Sequence, residues 1–323
     1  MSFASSRIFI PMVLDVIGDI HGHAQHLVDL LRLLGYEKRN GAYRSAETGR
    51  HAVFVGDFID RGPDIPGTLE IVRRMVDAGA ATAVIGNHEY NALCFHTRRE
   101  TANGPRWLRT RSDTHLYQHL DTLFQFRNDR ASLREYLRWF RTLPLFLEIG
   151  GVRVVHAAWD EDAIRIVSRD GTMTDEFLER SVTPGSDEFR AVETLLKGVE
   201  VHLPEGVTFL DKDGHSRSAT RVAWWQPPMP TTYRELAFPP GTVASSADIP
   251  VPNSALARIP GYAGEVPVFL GHYWLHAERP SVQSRVVCIT DYSVAAGGFL
   301  AAYTWRGESR LTDSHWTWTP SGG

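Results

Sequence analysis

Asp19 and His21 stand two apart in Gly18-Asp19-Ile20-His21-Gly22. On an extended backbone, residues two apart point the same way. One carboxylate oxygen and one imidazole can therefore grip one metal ion. Asp57, in Gly56-Asp57-Phe58-Ile59-Asp60-Arg61-Gly62, carries a carboxylate able to bridge two ions. Asn87 in Gly86-Asn87-His88-Glu89, His156 after Val155 and His272 after Gly271 can complete a second ion. Mixed oxygen and nitrogen donors suit Mn, Fe, Zn or Co rather than Ca. The flanking glycines let the backbone turn sharply and leave room for a substrate. A lone Asp or His at a strand end is ordinarily a cap or loop residue, but six in this order read as a metal centre.

These residues need strands that end together. Residues 13–17 form an apolar run. Leu27, Leu30, Leu31 and Leu34 follow at helical spacing, closed by Gly35. Tyr43 and the segment 51–55 are expected to form a hairpin feeding a second core strand. Leu69, Val72 and Val76 mark a second helix before Gly79, and residues 81–85 a third strand. This βαβαβ order predicts a parallel sheet with right-handed crossovers, whose ligands bind beyond the carboxyl ends of the strands. Residues 91–142 read as helical, with Leu116, Leu120, Leu123 and Phe124 on one face. There Ser132 and Glu135 read as a capping box, with Leu133, Leu137 and Phe140 inward. Gly150-Gly151 joins a hairpin between 145–149 and 152–155. Ser186 caps a helix carrying Phe189, Val192, Leu195 and Leu196. Between residues 226 and 267 lie 9 of the 18 prolines, which predicts an ordered loop or lid rather than interior helix. Strand pattern returns at 266–270, 285–290 and 299–305.

The three glycine-flanked segments resemble the signatures of the calcineurin-like metallophosphoesterases, in their phosphoprotein-phosphatase-like branch. The resemblance is dense to residue 90 and returns at 143–156, at Gly271-His272 and at 291–303. It does not cover residues 160–265. It implies an α/β fold with a four-layer αββα sandwich, and a single domain over 1–323. That domain would carry a helical, Arg-rich insertion at about 91–142 and a proline-rich cap or lid at about 160–265. It implies two divalent ions, Mn first, with Fe, Zn, Co or Ni as alternatives. Asp19, His21 and Asp57 would hold one ion; Asp57, Asn87, His156 and His272 would hold the other. A hydroxide bridging the ions would attack phosphorus. His88 becomes the general acid, oriented by Asp60, and Arg61 a fork for phosphate oxygens. Asn87 also contacts substrate, and an extra arginine, Arg221 or Arg217, reaches the phosphate. The pattern departs from the protein phosphatases at Ala157-Ala158, where they carry two glycines. It departs again at Trp224-Trp225-Gln226-Pro227-Pro228, where they carry Trp-Ser-Asp. Gly271-His272-Tyr273 resembles the bacterial relatives, including diadenosine tetraphosphatases. A small phosphorylated or nucleotide substrate is therefore expected, with a phosphoserine or phosphothreonine protein phosphatase as the alternative. An inactive phosphate-binding scaffold is a remote third reading, since no ligand or acid is missing.

Composition narrows the rest. The chain has 323 residues, 43% hydrophobic and 22% charged, with a formal charge of −4. That is globular composition, without disorder or a coiled coil. No run approaches the ~20 apolar residues of a membrane span. Two cysteines form no disulfide framework and suit a reducing compartment, so a cytoplasmic location is expected. Residues 1–11 read as dispensable rather than as a signal segment. Between Arg98 and Arg141, 10 arginines face 5 acids. We read this as a solvated face, and the 3 lysines among 34 basic residues as coding bias, so nucleic acid is not indicated. The cluster Lys212-Asp213-Gly214-His215-Ser216-Arg217 precedes Trp224-Trp225, whose rings read as packing. Of the 14 histidines, His21, His88, His156 and His272 are assigned to chemistry and the other ten carry no signal.

Overall fold

The computed structural model describes residues 13–210, 214, 216–243 and 248–321. The expectations for residues 1–11 and for Lys212, Asp213 and His215 fall outside the described residues.

Two sheets face each other. The first runs Asp291–Tyr292, Phe299–Trp305, Val13–Ile17, Arg50–Phe54, Ala81–Ala83, with Trp316–Trp318 added to Phe299–Trp305. The last three of the five are parallel, as the βαβαβ order required, but Phe299–Trp305 is antiparallel to Val13–Ile17. The second sheet runs Val287–Ile289, Val268–Leu270, Val152–Val155, Phe146–Ile149. Its first three strands are parallel, and the last closes the Gly150-Gly151 hairpin.

Period-two alternation shows which face each strand buries. Leu14, Val16, Val53, Phe269, Cys288, Ala301 and Tyr303 meet in one core between the sheets. Ile17, Ala52, Phe54, Val268, Leu270, Ile289 and Ala302 point outward into the helices. Helices Ala24–Leu33 and Ile65–Asp77 cover the first sheet. On the Val152–Val155 side, Asp187–Lys197 passes a backbone bond from Ala157 N–H to Leu195 O. The result is a mixed α/β sandwich of helix, sheet, sheet and helix.

Several local expectations are corrected. The hairpin near Tyr43 joins Tyr36–Arg39 to Ala42–Ser45 through Asn40-Gly41, both at positive φ. Arg50–Phe54 is a separate core strand. The segment after Asn87–His96 is not wholly helical: Arg98–Arg99 pairs with Arg106–Trp107. Of the face read on Leu116, Leu120, Leu123 and Phe124, Leu123 is half-buried and the other three are exposed. Asp129, not Ser132, caps Arg130–Phe140: its side chain accepts the Ser132 N–H, so Ser132 lies in the first turn. Two further helices, Glu161–Val167 and Asp175–Ser181, are capped by Asp160 and Thr174. The proline-dense stretch carries only the short turns Tyr233–Leu236 and Asn253–Leu256 among its described residues.

Candidate metal centre

Five strands deliver the six donors. Val13–Ile17 leads to Asp19 and His21, Arg50–Phe54 to Asp57, and Ala81–Ala83 to Asn87 at the start of Asn87–His96. Val152–Val155 leads to His156 and Val268–Leu270 to His272. Asp19, His21, Asp57, His156 and His272 are all buried. His21, Asp57, Asp60, Arg61, His272 and Trp274 all adopt positive φ. Such clustered left-handed residues cost energy and mark positions that the surroundings over-determine.

The donors meet around Asp57. His21 Nε2 lies 3.6 Å and His156 Nε2 3.4 Å from Asp57 Oδ2. Asn87 Oδ1 lies 3.0 Å from His156 Nε2 and 2.8 Å from His272 Nδ1. The His272 N–H donates to Asp19 Oδ2 at 2.9 Å, which brings the two halves together.

Tautomers follow from the outer partners. His21 Nδ1 donates to Ile59 O at 2.9 Å, and His156 Nδ1 to Val55 O at 2.8 Å. Each ring then turns a bare Nε2 inward, the arrangement that orients imidazole ligands. Asp19 Oδ1, His21 Nε2 and His272 Nε2 are buried without any hydrogen-bond partner. Unpaired buried acceptors are costly. The nitrogen and oxygen atoms 2.8–3.6 Å apart around Asp57 and Asn87 form a donor set that a divalent cation satisfies, so these residues fit such ions. His21, Asp57 and His88, and likewise Asp57, His156 and His272, each bring one donor atom within 4.8 Å of the others.

Burial and neighbouring charges act strongly on these groups. Burial, then the Asp291 and Asp57 carboxylates, push Asp19 well above the usual carboxylate range. Burial would also raise Asp57, but His156 and His88 hold it well below. Burial, followed by His88, lowers His21; burial, followed by Arg221, lowers His272. Both rings are thus kept in the neutral form that binds metal.

Space is as constrained as charge. A Cβ on Gly271 would lie 1.9 Å from Asp19 Oδ1, and one on Gly86 2.2 Å from Asp57 Oδ1. Only glycine lets these backbones pass the two carboxylates. Glu89 accepts the N–H groups of Asp57, Phe58, Ile59 and Gly86 and so welds the second segment to the third.

His88 lies beside the donors, its ring 4.7 Å from that of His21. Its Nδ1 donates to Asp60 Oδ2 at 2.6 Å, and Arg61 Nη2 approaches its Nε2 at 3.4 Å. Arg61 also stacks on Trp274, 4.2 Å from the ring centre. Arg221 is half-buried at the rim, its Nη1 3.4 Å from His272 O. Arg217 is exposed on the short strand Ser216–Arg217. Trp224 and Trp225 are buried, and Trp224 Nε1 donates to Ala157 O at 3.1 Å.

Three contributors had no reading in the sequence. Trp274 covers Arg61. Asp291 accepts the Trp274 N–H at 2.7 Å and holds that turn. His119 donates to Asp60 Oδ1 at 2.8 Å. Trp274 sits two residues past His272, the same spacing that relates Asp19 to His21, and that spacing was the available signal. His119 lies in no motif.

The comparisons with known proteins follow the same segments. An asymmetrical bis(5'-nucleosyl)-tetraphosphatase of Oceanobacillus iheyensis is 43% identical over 77 residues, covering 24% of this chain and 30% of that protein. Its counterpart in a Geobacillus species is 31% identical over 160 residues, covering 47% and 60%. A symmetrical bis(5'-nucleosyl)-tetraphosphatase of Aromatoleum aromaticum is 28% identical over 239 residues, covering 67% and 78%. The chain thus spans between about a third and three-fifths of the two asymmetrical relatives. The calcineurin-like phosphoesterase family model matches residues 12–226, a stretch that contains five of the six donors and the His88–Asp60 pair. With the sixth, His272, folded onto Asn87 beyond that stretch, the chain belongs to the calcineurin-like phosphoesterases.

Proposed function

We propose that the protein is a dinuclear metal-dependent hydrolase of phosphate esters or anhydrides, and that its substrate is a nucleotide of the dinucleoside polyphosphate type. The observation that carries the chemistry is the convergence of ring nitrogens on Asp57 and Asn87: His21 Nε2 and His156 Nε2 lie 3.6 and 3.4 Å from Asp57 Oδ2, and His272 Nδ1 lies 2.8 Å from Asn87 Oδ1, with Asp19 Oδ1 and His21 Nε2 buried and unpartnered. The nucleotide class rests on the relatives named as bis(5'-nucleosyl)-tetraphosphatases.

Asp19, His21 and Asp57 would hold one divalent ion, and Asp57, Asn87, His156 and His272 the other. Bound ions supply Lewis acidity and an activated water for attack on phosphorus. Manganese is our first choice, because a site of carboxylate, amide and imidazole without thiolate accepts it readily. Arg61 presents its planar fork to two phosphate oxygens, and Arg221 adds charge from the rim. Asn87 meets the substrate from the start of its helix.

His88 holds the proton. Arginine only donates, so its approach to Nε2 and the Nδ1–H bond to Asp60 define a neutral ring with Nε2 facing the centre. With Arg61 on the phosphate, Nε2 is freed and takes a proton from solvent water, which makes the ring an imidazolium paired with Asp60. As the oxygen–phosphorus bond of the attacking water forms, that water releases one proton to solvent; as the leaving-group bond breaks, the His88 proton passes to the leaving oxygen. His88 returns to neutral and Asp60 stays a carboxylate.

Cys94 and Cys288 are buried free thiols, and among the described residues no helix is long and apolar enough to cross a membrane. We place the protein in the cytoplasm on the thiols.

The test is metal analysis of the purified protein, followed by a panel of dinucleoside tetraphosphates, mononucleotides and phosphopeptides with Mn²⁺. Two ions per chain and turnover of dinucleoside tetraphosphate are expected. Turnover of phosphopeptides alone would overturn the nucleotide reading, and no turnover of any phosphoester would overturn the hydrolase.

A further inference from the structure

We infer that His119 is a positioning residue for proton donation, acting through Asp60 on His88; the inference rests on the phosphoesterase reading above. His119 is buried where the helices Asp113–Gln118 and Leu120–Gln125 meet. Its Nδ1 donates to Asp60 Oδ1 at 2.8 Å. Thr122, three residues on, donates its hydroxyl to the same oxygen and accepts the Asp60 N–H at 3.1 Å. Oδ1 is thus occupied by two donors, while Oδ2 lies 2.6 Å from His88 Nδ1.

The chain of bonds extends outward. His119 Nε2 lies 3.2 Å from Nε2 of half-buried His96, and Phe95 packs edge-on against His119 at 5.3 Å. Two ring nitrogens at that distance share one proton. With Nδ1–H of His119 given to Asp60, its Nε2 accepts and His96 Nε2–H donates. Each donor then points at the next acceptor: His96 to His119, and His119 to Asp60. Asp60 is left as an acceptor, which admits only the His88 tautomer whose Nδ1 carries the proton. That tautomer aims Nε2 at the substrate side. Burial would raise Asp60, but His119, then His88, hold it far below the ordinary carboxylate range, so it stays an acceptor. The joint between the two helices therefore reaches the proton donor without touching substrate or metal.

Two amide variants separate position from polarity. In His119→Asn the amide N–H stands where Nδ1–H stood. In His119→Gln it moves one bond further, away from Asp60. Metal-loaded proteins would be assayed on phenyl phosphate, whose phenol has a pKa of about 10, and on the far more acidic 4-nitrophenyl ester. His119→Gln should lose at least about tenfold more kcat on phenyl phosphate than on the nitrophenyl ester, within the range of general-acid effects. His119→Asn should recover most of that difference, with KM and metal content unchanged in both. Equal losses on both esters, or equal behaviour of the two variants, would overturn the inference. A second readout does not need turnover: the downfield Nδ1 proton of His88 in the NMR spectrum. It should persist in wild type and His119→Asn and be lost in His119→Gln, and its survival in His119→Gln also overturns the inference. If wild type cleaves neither ester, the hydrolase reading is decided by the dinucleoside tetraphosphate panel above, and the spectrum still decides the role of His119.

Discussion

Glu89 Oε2 accepts the backbone N–H of Asp57 at 2.9 Å, so the residue two after Asn87 fixes the carboxylate at the middle of the centre. The same carboxylate takes the N–H groups of Phe58, Ile59 and Gly86. Four peptide groups that a strand-to-loop turn would otherwise leave unpaired are satisfied by one buried side chain. The carbonyl side of the same loop is held separately, by the N–H groups of Ile20 and His21 on Asp57 O and of Gly22 on Phe58 O.

Glu89→Gln should therefore weaken both fold and metal binding. The amide replaces one acceptor oxygen by a donor, which then faces two N–H groups. Leaving them unpaired in a buried site costs about 2–3 kcal/mol. A lower melting temperature and weaker metal affinity are expected, measured by thermal unfolding and metal titration. Unchanged values in both would show that Glu89 is not the strut.

Asp57→Asn and His88→Ala should separate. Asp57 stands between the two donor groups, so removing its charge should lower metal content and activity together. His88 contributes a proton rather than a metal bond, so His88→Ala should keep its metal and lose about 10²–10⁴-fold in kcat. Metal analysis beside steady-state assay decides it. Equal metal loss in both variants would move His88 into the ligand set, an assignment its position near His21 and Asp57 makes worth testing.

Five of the six candidate donors were legible because a strand end and an adjoining glycine locate each from local sequence; His156 had only its strand end, after Val155. Legibility failed where contacts join segments far apart in the chain. Asp60 meets His119 across 59 residues, and His272 meets Asp19 across 253. His119 gave no local sign, since it interrupts two short helices whose apolar face is largely exposed. The helices capped by Asp160 and Thr174 were readable in principle. Each cap is followed by two acids, Glu161-Asp162 and Asp175-Glu176, the expected signature of a helix start.

Trp274 should act on binding rather than on the chemical step. Its ring lies 4.2 Å from the Arg61 guanidinium and 5.6 Å from the His21 ring, and its backbone is held by Asp291. A stacked guanidinium loses less freedom when it grips phosphate. Trp274→Ala should raise KM several-fold while kcat changes less, and Trp274→Phe should restore part of the loss. A kcat-only defect in Trp274→Ala would refute this role.

His96 gives a pH dependence with a definite sign. Burial, reinforced by His119 and Arg111, pushes its imidazole down to about 4. In the unfolded chain it titrates near 6.5. Between those values the unfolded state binds the extra proton, so stability is full above about pH 6.5 and is lost as pH falls toward 4. With allowance for partial exposure, the loss attributable to His96 is on the order of 2 kcal/mol. His96→Gln cannot titrate and keeps a donor toward His119. Its melting temperature should therefore fall less than that of wild type between pH 7 and pH 4.5. Parallel declines in the two proteins would show that His96 is not buried as a neutral ring, and would remove the outer member of the chain that ends at His88.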